Sequence, residues 1–214
     1  MSAPRASSGT TRALLAVALV CAAAVAFVTS VVVTTGRLFG LDARALAFFS
    51  RAPQSGIRHS IVVALSFTAS APVGIALLVL LGLGLSYRRR SYRPLVFTTL
   101  MTVALVGFVY VTKDLVGRAR PGVAAIVDPE PGFPSGHTAT ATVVAGTALV
   151  LLCASVSPTV RRWAVAGVVV YAAAIGLSRL YLQLHWFSDV LAGWLIGTLI
   201  VCVGGALLLA RTAD

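Results

Sequence analysis

Apolar residues in this chain come in long runs rather than at the alternate or third-and-fourth positions of a soluble fold. Six runs stand out, roughly Ala13 to Thr35, Ile61 to Tyr87, Pro94 to Thr112, Thr138 to Ser157, Trp163 to Leu182 and Trp186 to Ala210. Each approaches the ~20 residues that a helix needs to cross the hydrocarbon core. In lipid the backbone must satisfy its own polar groups, so the runs predict helices. The expected fold class is therefore all-α: a polytopic membrane protein built as a six-transmembrane-helix bundle. The fifth run is the least regular, because Arg179 interrupts it near its end. Between the first two runs, Arg37, Arg44, Arg51 and Arg58 recur every seven residues among Leu41, Leu46, Phe48 and Phe49. That pattern predicts an amphipathic helix over Leu38 to His59 lying in the membrane interface, broken by Pro53 and Gly56.

Composition agrees with the pattern. Hydrophobic residues make up 58% of the 214 and charged residues 11%, against about 25% charged in a soluble domain. Mean hydropathy is +0.96. No linker or low-complexity stretch divides the chain, so residues 1–214 read as one membrane-embedded domain. The formal net charge is +11, but no soluble basic face exists to bind nucleic acid. Arginines beside anionic headgroups account for most of it. Cys21, Cys153 and Cys202 all fall within apolar runs, which suits small core residues rather than disulfides or metal ligands. The first run follows Arg5 and Arg12 and contains small residues, as a signal peptide would, but its apolar stretch is longer than such a segment requires, which favours a retained span.

Orientation follows from the short links. Arg88, Arg89, Arg90 and Arg93, then Arg161 and Arg162, and the basic residues at the two termini fall on one side if the spans number six. That side is expected to be cytoplasmic. The arginines after the first run argue the other way.

Three polar clusters lie on the opposite side of the six-span layout. They are Lys113 to Pro121, Phe133 to Thr138, and Ser178-Arg179 with His185 and Asp189. Lys113 and Arg120 stand seven apart and can share a helical face, unless Gly117 ends the helix first. Lys is a compact charge and Arg a planar fork, and both suit phosphate oxygens. Ser135 is a good N-cap for the fourth span, with Gly136 allowing close approach of an anion to the helix terminus and His137 beside it. His185 and Asp189, four apart, would stack on one helix face, the carboxylate fixing the imidazole tautomer and leaving the other nitrogen free. Arg118 and the stretch from Gly122 to Gly132, with Asp128 and Glu130, are expected at the rim. Gly193 and Gly197 form a small-xxx-small pair for close helix packing. Taken singly, each cluster has a bland reading as snorkelling cations, a capped helix or a structural His–Asp pair.

The pattern Lys-x6-Arg-Pro, then Pro-Ser-Gly-His, then Ser-Arg-x5-His-x3-Asp resembles the type 2 phosphatidic acid phosphatase family, over about Lys113 to Asp189. That resemblance implies a membrane lipid phosphatase that acts without a metal or other cofactor. It implies His185 as the nucleophile that becomes a phosphohistidine, Asp189 as its orienting partner and His137 as the general acid. It implies that Lys113, Arg120, Ser135, Gly136 and Arg179 hold the phosphate oxygens. The expected substrate is a polyprenyl phosphate or pyrophosphate, phosphatidic acid or phosphatidylglycerol phosphate, met at the extracytoplasmic face of a bacterial plasma membrane. Rival readings are a lipid phosphotransferase using the same histidine and a membrane transporter. Clustering at one face disfavours a transporter, whose path needs polar groups near the midplane. Oligomeric state is open at this level.

Overall fold

The computed structural model describes residues 8–122, 124–127, 129–152 and 156–210. Among these residues every regular element is a helix. The chain runs α1 (Ser8–Thr35), α2 (Leu41–Phe49), α3 (Gly56–Phe67), α4 (Ala71–Arg89), α5 (Arg93–Val116), α6 (Ala124–Val127), α7 (Gly136–Leu152), α8 (Pro158–Tyr181) and α9 (Phe187–Ala210). Five of them, α1, α4, α5, α8 and α9, are long and apolar enough to cross a membrane. The sixth expected span corresponds to α7, a shorter apolar helix with 17 described residues. It is packed against α4, α5, α8 and α9, so it stands inside the bundle rather than on its surface. Its residues Thr138 to Val143 are all buried, as expected of a helix enclosed on every side. Cys153 falls outside the described residues; Cys21 and Cys202 are buried and free.

Two expectations about helix limits need correction. The apolar run from Ile61 to Tyr87 is two helices, not one, because Thr68 to Ser70 turn the chain and Pro72 stands in the first turn of α4. Proline suits a helix start, where its missing N–H is not needed. The predicted interfacial helix is likewise shorter, running as α2 from Leu41 to Phe49 and resuming as α3 at Gly56, whose φ of 79° requires glycine. Helix α2 packs on α8 and α9. Phe39, Phe48 and Ile57 remain exposed, as residues facing acyl chains would be.

Helix α9 sits between α1 and α7. A Cβ at Gly193 would lie 2.7 Å from the Ser135 carbonyl oxygen, and one at Gly197 would lie 2.5 Å from Thr142 Cβ. The glycine pair thus brings α9 against the start of α7, which is the close contact its spacing predicts. Beneath this crossing, Val28 and Val32 of α1 pack with Phe133 and Ala192. At the far end of the bundle Arg89 donates to the Leu151 carbonyl at 2.8 Å, a cation satisfying a C-terminal carbonyl of α7.

Candidate active site

The three polar clusters meet at one end of the bundle. They surround a cavity of about 230 Å³ lined by Lys113, Arg120, Gly136, His137, Arg179 and His185, with Glu130 at its edge. On the other side the same cavity is lined by Ala71, Ile75, Leu105, Val106, Val109 and Tyr110. One wall is therefore cationic and the other apolar, the latter formed by α4 and α5.

Each group reaches the cavity by its own local route. Helix α5 ends at Val116, where Gly117 turns left-handed (φ 57°) and donates to the Lys113 carbonyl at 2.8 Å. Lys113 therefore stands in the last turn, and Arg120 stands on the following loop rather than on the same helix. The two do not share a helical face; the loop folds back to bring them together. Lys113 Nζ is 3.1 Å from Glu130 Oε2. Arg120 donates to the carbonyls of Glu130 (3.1 Å) and Leu184 (3.2 Å). Arg179 is buried in the last turn of α8 and donates from Nη1 to Ser66 Oγ of α3 at 2.8 Å.

Ser135 precedes α7 and is fully buried; its N–H donates to the Asp189 carbonyl at 2.9 Å, and its Oγ accepts from the Thr138 hydroxyl at 2.9 Å. The terminus of α7 with Gly136 and His137 opens on the cavity, where helix N–H groups favour an anion. His137 is half-buried, as the second residue of the helix.

His185 does not stand on a helix with Asp189. The chain leaves α8 through a left-handed Gln183 (φ 54°), with Leu184 N–H bonded to the Arg179 carbonyl and Gln183 N–H to that of Leu180. This is the Schellman pattern, and it delivers His185 into the link before α9. Asp189 is in the first turn of α9, where its Oδ2 accepts from the Trp186 N–H at 2.9 Å, as in a capping box. His185 Nδ1 lies 3.4 Å from the same Oδ2, a contact longer than an ordinary hydrogen bond. Its Nε2 faces Arg120 Nη1 at 3.3 Å. Burial pushes the His185 imidazole down to about 4; Asp189 works against that, while Arg179 and Arg120 add to it. A neutral ring with its proton on Nδ1 and a lone pair at Nε2 fits these neighbours.

Arg118 is the main departure from expectation. It is not at the rim. Its side chain is buried, with Nη1 2.6 Å from Asp189 Oδ1 and 2.6 Å from Ser188 Oγ, and Nη2 2.7 Å from Asp42 Oδ2. Asp42 of α2 is completely buried and accepts from Leu38 N–H, Ser188 N–H and Ser188 Oγ. Burial raises its carboxyl, but these backbone and side-chain donors, with Arg118, outweigh burial and hold it below the usual range. None of the sequence motifs includes Asp42, Ser188 or Ser66. A signal existed for Asp42, one of only six acidic residues, set in an apolar stretch. Asp128 lies outside the described residues. Among the described residues no group of three or more His, Cys, Asp and Glu side chains is placed to hold a metal ion.

A family model described as the PAP2 superfamily matches residues 91–212, more than half of the chain. The chain belongs to the PAP2 superfamily. Among curated PAP2-type and related phosphatases, it is 38% identical over 128 residues to lipid A 1-phosphatase of Porphyromonas gingivalis, covering 59% of this chain and 26% of that protein. It is 30% identical over 132 residues to phosphatidylglycerophosphatase B of Bacillus subtilis (59% and 63%). It is 32% identical over 95 residues to an undecaprenyl-diphosphatase of Sulfolobus acidocaldarius (41% and 42%). The chain thus spans less than two thirds of the length of each of these relatives. A crystal structure of a transmembrane PAP2-type phosphatidylglycerolphosphate phosphatase from Bacillus subtilis superposes with a TM-score of 0.74 at 20% identity, over 87% of this chain and 93% of that one. The likeness in fold marks this PAP2 chain as a multi-pass membrane protein, in line with its apolar helices.

Proposed function

We propose that this protein hydrolyses a phosphate monoester or pyrophosphate carried by a lipid, through a phosphohistidine on His185, at the extracytoplasmic face of a bacterial plasma membrane. The observation that carries the reading is the setting of His185, whose Nε2 faces the cationic cavity beside Arg120 while Nδ1 faces Asp189. Phosphoryl transfer depends chiefly on positioning and charge neutralisation. Lys113, Arg120 and Arg179, with Gly136 and the terminus of α7, supply both around one tetrahedral anion, whereas Ser135 is buried behind that terminus and does not line the cavity.

The chemistry runs in two steps. Nε2 of His185 attacks phosphorus in line, the bond from phosphorus to the leaving oxygen breaks, and His137 gives that oxygen its proton. Water then attacks the phosphohistidine, losing a proton to His137, and the P–N bond breaks to release phosphate. No step is routed through a metal. Two of the relatives are named for phosphatidylglycerophosphate and undecaprenyl diphosphate, and a third for lipid A. Those substrates share a phosphorylated head on a long apolar tail. The apolar wall of the cavity, formed by Ala71 and Ile75 of α4 and by Leu105, Val106, Val109 and Tyr110 of α5, suits the apolar part of such a substrate next to its head. Recycling of a polyprenyl carrier is the physiological role we favour. The sidedness rests on the arginines of the α4–α5 and α7–α8 links, which belong at the cytoplasmic face.

The test is phosphate release from lipid mono- and pyrophosphates by purified protein in detergent. His185→Ala is expected to lower turnover by about 10⁴-fold or more. Rapid quenching into base, in which phosphohistidine survives, is expected to trap label on His185 of the parent. Full activity in His185→Ala would end the reading.

A further inference from the structure

Asp189 is shared. Its Oδ2 serves the Trp186 N–H and faces His185, while its Oδ1 is taken by Arg118 at 2.6 Å. Arg118 is held in turn by Asp42 at 2.7 Å and by the Gly36 carbonyl at 2.9 Å, and its guanidinium stands 5.3 Å over the Trp186 ring. Both carboxylates are completely buried. A chain of side chains therefore runs from Asp42 of α2 through Arg118 and Asp189 to the ring of His185. We propose that Arg118, backed by Asp42, is a positioning residue for the reaction, which fixes the Asp189 carboxylate and through it the orientation of His185.

Docking of α2 does not explain Arg118. Asp42 already bonds to the N–H and hydroxyl of Ser188, each at 2.8 Å, and those two bonds would tie α2 to α9 by themselves. What Arg118 adds is a grip on the one carboxylate that faces the imidazole. The charges also fit. Two buried carboxylates and one guanidinium leave a single negative charge, and it faces Nδ1. When Nε2 bonds to phosphorus, the ring takes up positive charge, and that surplus anion neutralises it. A carboxylate free to rotate would hold the ring less well, and loss of near-attack geometry costs up to about 10²-fold for a 1 Å displacement.

The inference rests on the role proposed for His185, and its test separates the two. Arg118→Gln, Arg118→Lys and Asp42→Asn are compared with the parent in detergent, by kcat, KM, vanadate affinity and the pH dependence of kcat/KM. The other charged groups near His185, namely Asp189, Arg120, Arg179, His137, Lys113 and Glu130, are unchanged in all three. Arg118→Gln is expected to lower kcat about 10- to 100-fold with KM and vanadate affinity near parental, since Arg118 does not line the cavity. It should also move the acid limb towards neutrality, because Asp189 no longer shares its charge. Arg118→Lys should recover part of kcat and return the limb towards its parental position. Asp42→Asn should move the limb the opposite way, because Arg118 then pairs with Asp189 alone. Parental kcat in Arg118→Gln would overturn the proposal, as would a loss of kcat with an unmoved acid limb, or a matching loss of vanadate affinity. If Arg118→Gln does not fold, an unmoved limb in Asp42→Asn overturns it. Nitrogen NMR of isotope-labelled histidine in the resting protein reads the His185 tautomer without turnover. A mixture of tautomers in Arg118→Gln that returns towards the single Nδ1–H form in Arg118→Lys supports the proposal, and a parental Nδ1–H signal in Arg118→Gln refutes it. Activity surviving in His185→Ala would instead sink the phosphohistidine reading.

Discussion

The two histidines of the site are held in opposite ways. His185 is buried in a link, and its position comes from side chains behind it, with Asp189, Arg118 and Asp42 in series. His137 is half-buried as the second residue of α7, and its position comes from the backbone of a helix locked against α9. The difference suits the two proposed tasks. A nucleophile must present one lone pair along one line and stabilise charge on its ring. A general acid must reach an oxygen that departs, and a helix terminus gives it a fixed base with the ring left at the cavity.

The sharpest way to break this contrast is to vary the leaving group. His137→Gln is expected to lose about 10²- to 10⁴-fold on a lipid phosphate, and far less on an aryl phosphate, whose leaving oxygen needs no proton. His185 variants should lose equally on both. Equal losses in His137→Gln would show that His137 binds rather than donates.

Acidity comes next. Because burial holds the His185 ring at about 4, it is neutral and ready to attack above that pH. It is protonated, and lost as a nucleophile, below it. In the free enzyme kcat/KM should therefore fall as pH drops through about 4, and an acid limb near the ordinary histidine value of about 6.5 would mean that the ring is wetter than its burial implies.

Gly193 supports both arrangements, since α9 carries Asp189 and touches the residues flanking His137. Gly193→Ala would force a methyl to within 2.7 Å of the Ser135 carbonyl. Overpacking of this kind costs about 1–3 kcal/mol, so a lowered Tm together with reduced kcat is expected, and an unchanged Tm would show that the helices separate freely. The smallest effect is expected at Ser66, which holds Arg179 from α3. Ser66→Ala removes one buried hydrogen bond to a charged group, about 1.5 kcal/mol or less at the low end for such bonds. Vanadate affinity should weaken about threefold to tenfold, while the position of the acid limb stays.

Much of this was legible in the sequence because the solvent is lipid. Apolar runs long enough to cross the bilayer must become helices, so the spans could be read off, and charged residues between them had to gather at the ends. Six spans then put Lys113, His137 and His185 at one end by parity alone. The limits of α2, α3 and α4 were less legible, because the interface and the chain near it satisfy backbone groups with water as readily as with helix bonds. The local rule of seven for Lys113 and Arg120, and of four for His185 and Asp189, named the right neighbours for the wrong reason. Each pair meets across a loop, after Gly117 and Gln183 have ended the helices before it.

By itself the sequence determined the helical class, the span pattern and the membership of the three motifs in one cluster, because periodicity and hydrophobic length are properties of the chain taken locally. Only the tertiary structure decided that Arg118 turns inward to Asp189 and that Asp42, 147 positions earlier than Asp189, completes the support. Its rarity in an apolar stretch marks Asp42 as a residue, but nothing local marks its partners. A buried charge is stable only where an opposite charge and donors meet it, and which segment supplies them is settled by how α2, the loop after α5 and the start of α9 pack together.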